Sequence, residues 1–420
     1  MAENPDQNPL YELMTSANQT GPGDGMVKRS LEAIRADLGM EVAYVSEFVG
    51  NRSVFREVSA PGLEAMIKPG DSQSLDDVYC RHILEGRLPQ LMPDTSLEPL
   101  AMSMPITHAV SIGQHMSVPI RLPDGQVHGM FCCLGFKADR SLHERDLQMM
   151  KVFADLTAFD INDRLQAEKA AKEKQERIKA AIAEQQLSIL YQPIWEIQGG
   201  KPVGFECLTR FSGTPSRSPD KWFAEAAETG LGIDLELMAI RQALSALSSF
   251  PPSVYLAVNA SPATVLSGKL DAVLADLPAG RIVLEITEHA HVEDYDCLLS
   301  ALKQFRLRGV RLAVDDAGAG YASMQHILQL QPDLIKIDMA ITRHIDLDLA
   351  RRALASALVL FARETGSGII AEGVETASEL KTLRNIGIGK AQGYFLGRPM
   401  PYDDAAKLLE HGPSIDGQVA

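Results

Sequence analysis

Eight short apolar runs recur through the second half of the chain, each closed by polar or charged residues, and no other feature narrows the fold as much. They cover residues 190–195, 203–208, 254–258, 282–286, 311–314, 334–337, 368–371 and 391–396, with helix-sized segments between them. Eight strands alternating with helices over about 225 residues predict an α/β fold, a (β/α)8 TIM-like barrel. Such barrels carry their chemistry at the C-terminal ends of the strands, so the residues that close each run are the candidates for function.

Those residues are unusually acidic. The second run closes on Phe205-Glu206-Cys207-Leu208-Thr209-Arg210, the third on Val258-Asn259-Ala260-Ser261 and the fourth on Leu284-Glu285-Ile286-Thr287-Glu288. The fifth gives Val314-Asp315-Asp316-Ala317-Gly318 and the sixth Lys336-Ile337-Asp338. The seventh gives Ala371-Glu372-Gly373-Val374-Glu375 and the eighth Gln392-Gly393-Tyr394. Carboxylates that converge on one barrel mouth repel one another unless a cation sits among them. Hard oxygen ligands of this kind suit Mg²⁺ or Mn²⁺. Adjacent Asp315 and Asp316 can share two ions, and two ions about 4 Å apart can clamp the attacking and leaving oxygens of a phosphodiester. Lys336 adds a cation able to hold the attacking water. Taken singly, each residue reads better as structure: a strand-end Glu as a solvated loop residue or cap, Asp315-Asp316 as a turn, Asn259 as a helix cap. Their arrival on successive strands of one barrel is what a purely structural reading does not explain.

A length of 420 residues exceeds one ordinary core and suits two domains. The net charge of −15 argues against a nucleic-acid partner, and leaves an anionic phosphate substrate dependent on local cations. No apolar stretch reaches the length of a membrane helix, and the amino terminus lacks the basic and apolar regions of a signal peptide. Five cysteines without metal-type spacing (Cys80, Cys132, Cys133, Cys207 and Cys297) point to a reducing, cytoplasmic setting.

Residues 1–24 read as a polar tail ending in Gly-Pro-Gly-Asp-Gly. Residues 25–165 form a mixed α+β pattern. Residues 26–38 read as a helix, 42–48 and 53–58 as paired strands, and 115–121 and 126–136 as a hairpin around Pro123-Asp124-Gly125. Another helix starts near Leu142. Residues 158–186 are charged, helical and free of proline and glycine. They suit either a signalling linker helix paired in a dimer or a solvated spacer, because the apolar stripe is weak. Tyr79-Cys80-Arg81-His82 reads as an amphipathic helix with a buried thiol rather than a sensor cysteine, and Cys132-Cys133 as strand neighbours facing opposite sides.

With these motifs in order, the segment 175–412 resembles the EAL domain, the cyclic di-GMP phosphodiesterase family. The matching residues are Tyr191-Gln192-Pro193-Ile194, Glu206-Cys207-Leu208 with Arg210, Asn259, Glu285 to Glu288, Asp315-Asp316, Lys336-Ile337-Asp338, Glu372-Gly373-Val374-Glu375 and Gln392-Gly393-Tyr394. The resemblance implies two Mg²⁺ or Mn²⁺ ions. It assigns one to Glu206, Asn259, Glu285 and Asp315, and the second to Asp315, Asp316 and Glu372. Lys336 with Glu372 is implied to position or deprotonate the water, which makes Glu206, Lys336 and Glu372 the catalytic candidates. Gln192, Arg210 and Gln392 are implied for substrate contact, with Gln392 also supporting the site. Glu375 is implied as a support, and Glu288 as the anchor of the loop that starts at Asp315. The chain departs from the family at Cys207, where alanine is usual, and at Ala317, where phenylalanine is common. The second change bears on loop rigidity and dimer coupling more than on metal binding.

Residues 25–165 resemble a GAF domain in strand order and general pattern, which implies an unidentified small-molecule ligand or a dimerising role, and a homodimer. The expected function is hydrolysis of cyclic di-GMP to linear pGpG under control of the GAF-like domain. The alternative is a cyclic di-GMP receptor that relays its signal through the linker. Degenerate members of the family usually lose metal ligands or the lysine, and here none is missing. A metal-free scaffold fits poorly with so many carboxylates. No diguanylate cyclase motif occurs.

Overall fold

The computed structural model describes residues 25–286, 294–317 and 321–411, and the chain divides into two units, residues 1–170 and 171–420. In the first unit, strands β1 (Val42–Val49), β2 (Arg52–Ser59), β3 (Ser72–Ser74), β4 (Leu91–Met92), β5 (Gln114–Arg121) and β6 (Val127–Gly135) form one sheet in the order β3-β2-β1-β6-β5-β4. Every neighbouring pair is antiparallel. The alternation of side chains along a strand gives this sheet two apolar faces. Ala43, Val45, Phe131 and Cys133 join Leu31 and Ile34 of helix Met26–Asp37 and Met150 of helix Glu144–Ala183 on one side. Val42, Tyr44, Met130 and Cys132 join Tyr79, Cys80 and Ile83 of helix Tyr79–Leu84 on the other. Cys132 and Cys133 therefore serve opposite cores, and all five cysteines are free thiols. Gly125 takes the left-handed φ of 86° that the β5–β6 turn requires. Strands β3 and β4 escape sequence reading because three and two residues carry no periodicity.

His115 of β5 is 3% exposed, and burial depresses its pKa to about 3. An unfolded histidine titrates near 6.5, so the unfolded chain takes up this proton first and stability falls with pH below that value. From pH 7 to pH 5 the loss is about 2 kcal/mol. Protection factors of the slowest β5 and β6 amides are expected to fall roughly 30-fold over that interval. An equal fall in a His115→Phe chain would assign the effect elsewhere.

Helix Glu144–Ala183 is continuous over 40 residues, so the segment read as a linker is the later part of one helix that starts before it. In the second unit its last turns bury Ile178 and Ala181 against Trp222, Ala226 and Leu235. Beyond it, β7 (Leu187–Glu196), β8 (Lys201–Phe211), β9 (Tyr255–Asn259), β10 (Ile282–Ile286), β11 (Arg311–Ala317), β12 (Leu334–Ile337), β13 (Gly368–Ala371) and β14 (Lys390–Ala391) close into a barrel in the order β10-β11-β12-β13-β14-β7-β8-β9.

Two details differ from the expected regular alternation. No helix separates the first two runs: β7 and β8 form an antiparallel hairpin, and β14 also pairs antiparallel to β7. The four residues between β7 and β8 cannot make a parallel crossover, which needs a dozen or more. The eighth strand is only Lys390–Ala391, at the start of the expected run, and just beyond it Gly393 lies against the backbone of Val374, where a Cβ would stand 2.2 Å from a nitrogen. Among the described residues no helix is long and apolar enough to cross a membrane.

Candidate active site

Strand periodicity builds the site. Ile194, Ala257, Val283, Ala313, Leu334 and Ile370 meet in a buried cluster that plugs the barrel. Leu256, Leu284, Leu312, Ile335 and Ile369, the intervening residues, pack into the larger core outside it. Two residues on from the plug, the next inward positions are Asn259, Glu285, Asp315, Lys336 and Glu372, at the C-terminal ends of β9 to β13. Glu206 of β8 stands opposite Gln192 of β7 in register. Because β7 runs the other way, Gln192 precedes its plug residue instead of following it.

The ammonium of Lys336 is fully buried at the centre of this ring. Its Nζ lies 2.8 Å from Glu372, 3.0 Å from Glu285, 3.0 Å from Asp315 and 3.4 Å from Glu206. Burial alone works against its charge, but these four carboxylates outweigh that and hold its pKa well above the usual value. One ammonium cannot neutralise four carboxylates. Burial, opposed by Lys336 and reinforced by the neighbouring carboxylates, raises Glu285 well above the ordinary carboxylate range. The same causes, in the same order, bring Glu372 to about 8. Burial and then the Asp315 and Asp338 charges bring Asp316 to about 6. Gln392 braces the ring: its Nε2 donates to Glu206 at 2.6 Å and to Glu372 at 2.8 Å.

Adjacent strand residues normally face opposite ways, so Asp315 and Asp316 need a device to share one site. The β11–β12 register slips between Val314 and Ala317, and Asp316 takes a left-handed φ of 55°. Carboxylate oxygens of Asp315, Asp316 and Glu372 then lie within 4.8 Å of one another.

These residues fit divalent cations. The donors are hard oxygens, they carry more negative charge than Lys336 can balance, and Oε1 of Glu285 is buried with no hydrogen-bond partner among the described residues. Glu206, Asn259, Glu285 and Asp315 could hold one ion, and Asp315, Asp316 and Glu372 another.

Asn259 is exposed at the end of β9, next to Glu285 in register. Arg210 is exposed and donates to the Thr209 carbonyl at 2.8 Å. Gln192 is buried and donates to the Gly397 carbonyl at 3.3 Å. Glu375 is exposed and pairs with Arg343. Glu288 lies outside the described residues.

A cavity of about 560 Å³ borders Arg210, Asn259 and Cys207, and is also lined by Asp220, Phe223 and Glu236. Glu236 accepts from the backbone nitrogen and hydroxyl of Ser261, both at 2.9 Å. Sequence reading missed Asp220 and Glu236 because they sit on ordinary amphipathic helices with no motif around them. It also missed Glu379, although Thr376 and Glu379 have the spacing of a capping box. That buried carboxylate accepts from the amides of Glu375 and His344, tying the loop after β12 to the loop after β13.

Comparison with known proteins agrees with this geometry. The GAF domain model matches residues 24–162 and the EAL domain model residues 175–399. An uncharacterised protein of Sinorhizobium fredii is 32% identical over 66% of this chain and 36% of its own length. A probable cyclic di-GMP phosphodiesterase of Escherichia coli, PdeD, is 28% identical over 55% of this chain and 45% of its own. The solved structure of the PaMucR phosphodiesterase with c-di-GMP is 28% identical, with a TM-score of 0.51, covering 56% of this chain and 99% of that one. The chain spans 29% to 37% of the length of three of its curated relatives. With more than half of its residues matched by that model and a closed eight-stranded barrel behind the match, the chain belongs to the EAL domain family.

Proposed function

We propose that the barrel is a metal-dependent phosphodiesterase that opens cyclic di-GMP to linear pGpG, and that the GAF domain regulates it within a homodimer. The observation that carries this reading is the buried ammonium of Lys336 ringed by Glu206, Glu285, Asp315 and Glu372. Glu206, Asn259, Glu285 and Asp315 would hold one Mg²⁺ or Mn²⁺, and Asp315, Asp316 and Glu372 a second. Cations bound there supply the positive charge and the acidified water that phosphodiester hydrolysis needs at neutral pH. Lys336 Nζ would orient the attacking water and Glu372 would accept its proton. Gln392 keeps Glu206 and Glu372 aligned. Arg210 and Gln192 hold substrate phosphate or guanine from the rim, and a 560 Å³ cavity at Arg210 is on the scale of a ligand site. Glu375 and Glu288 steady the loops that carry the ligands.

The test is incubation of purified protein with cyclic di-GMP and Mg²⁺ or Mn²⁺, followed by chromatography. The expected product is pGpG. Chelator should abolish it, and Ca²⁺ should inhibit because its coordination is larger and looser. Intact substrate after long incubation with both metals would replace this reading with that of a receptor. Regulation is tested by deleting residues 1–165, which should change turnover rate or oligomeric mass. Unchanged kinetics and unchanged mass by light scattering would remove the GAF domain from the account.

A further inference from the structure

The last turns of helix Glu144–Ala183 pack on helix Pro219–Glu228, which lines the cavity beside Arg210. Ile178 and Ala181 are buried against Trp222 and Ala226 in a cluster apart from the main barrel core. Arg177 reinforces the contact: its Nε at 3.2 Å and Nη2 at 2.8 Å donate to one oxygen of Glu225, whose other oxygen accepts from Arg217. From the same short helix, Asp220 and Phe223 line the cavity.

Trp222 also reaches the strand that carries Arg210. Successive strand residues face opposite ways, so Arg210 lines the cavity while Phe211 turns to the cluster. Phe211 stacks on Trp222, with centroids 4.9 Å apart and planes 16° from parallel, and meets Phe223 edge-on at 5.6 Å. The backbone ties the same places together. Leu187, four residues after the helix ends, pairs with Phe211, and the Ser212 amide donates to the Gln186 carbonyl at 3.1 Å. Gly213 permits the close approach, since a Cβ there would stand 2.9 Å from the Trp222 ring and 2.6 Å from Oε1 of Gln186. Close-packed interiors pass strain on, so a shift of Ile178 reaches Phe211 through a single indole that is 1% exposed. The Lys336 ring is built from other residues, which lets substrate affinity change separately from the chemistry.

We propose that Trp222 is a positioning residue for the substrate: through Phe211 and Phe223 it holds Arg210 and the cavity wall, and the end of helix Glu144–Ala183 tunes affinity for cyclic di-GMP by moving it. This rests on reading the cavity as the cyclic di-GMP site. It gives the amino-terminal domain a route to substrate binding that leaves the metal ligands in place.

Steady-state kinetics of the full chain test it. Trp222→Leu keeps an apolar side chain but loses the stack, and should raise KM for cyclic di-GMP about fivefold, the worth of an aromatic pair, with kcat within about twofold of the parent. Trp222→Phe should restore most of the loss. Ile178→Ala, on the helix, should raise KM in the same direction, and the double substitution should raise it by less than the product of the two, because residues in contact do not act additively. A merely structural role would lower kcat with the folded fraction and leave KM unmoved. Should Trp222→Leu fail to fold, Arg177→Met, which leaves Arg217 on Glu225, carries the same expectation of a raised KM. Unchanged KM in every variant overturns the proposal and leaves the phosphodiesterase reading standing. Calorimetry with Ca²⁺ present reads the affinities without turnover, so weaker binding by Trp222→Leu supports the coupling even in a chain that does not hydrolyse. A parent chain that binds no cyclic di-GMP overturns both.

Discussion

Glu206→Ala is expected to lower cyclic di-GMP turnover by roughly a thousandfold or more, because metal charge stabilisation supplies several kcal/mol of the barrier. The side chain is almost buried, accepts from Gln392 at 2.6 Å and faces the Lys336 ammonium at 3.4 Å. Alanine removes a hard donor from the ring and leaves Gln392 bonded to Glu372 alone. It also removes one of four crowded carboxylates, so the fold should not suffer in proportion. Steady-state rates at saturating Mg²⁺, read beside thermal unfolding, check both halves. A variant that keeps a tenth of the turnover, or one that is inactive only because it unfolds, would remove Glu206 from the metal-holding role.

Much of this site was legible because strand periodicity and barrel topology act together. A run such as Leu334–Ile337 has period two, so Leu334 and Lys336 must face the same way, and closure of the sheet makes that way inward. The same step carries Ala313 to Asp315 and Ile370 to Glu372. Where the period fails, the sequence is silent. Asp316 reaches the site only through a register slip and a left-handed backbone, and nothing in Asp-Asp-Ala-Gly announces that geometry without the family resemblance. The antiparallel β7–β8 hairpin hides for another reason. Its two runs look like any other pair of barrel strands, and only the shortness of the link between them betrays the reversal. Glu236 and Asp220 reach the cavity from helices, where an acidic residue on the polar face is ordinary.

Lys336→Ala is expected to abolish turnover and, without divalent metal, to cost roughly 3–5 kcal/mol of stability, the range for breaking a buried ion pair from one side. Glu206, Glu285, Asp315 and Glu372 would then face one another with no cation among them, and protonation alone could relieve the repulsion. For a unit of this size the shift in Tm is about 2–4 °C per kcal/mol. Mg²⁺ should recover more stability in this variant than in the parent chain, since added cations replace the missing one. Substrate affinity separates this role from that of the rim. Lys336 faces carboxylates, whereas Arg210 is exposed beside the cavity and, among the described residues, donates to the Thr209 carbonyl alone. Lys336→Ala should therefore retain cyclic di-GMP binding better than Arg210→Ala, because a guanidinium on a phosphate oxygen makes a charge-assisted contact. Calorimetry with Ca²⁺ present to suppress hydrolysis measures each. If Lys336→Ala loses binding while Arg210→Ala keeps it, the lysine is a substrate ligand and the water is held by another group.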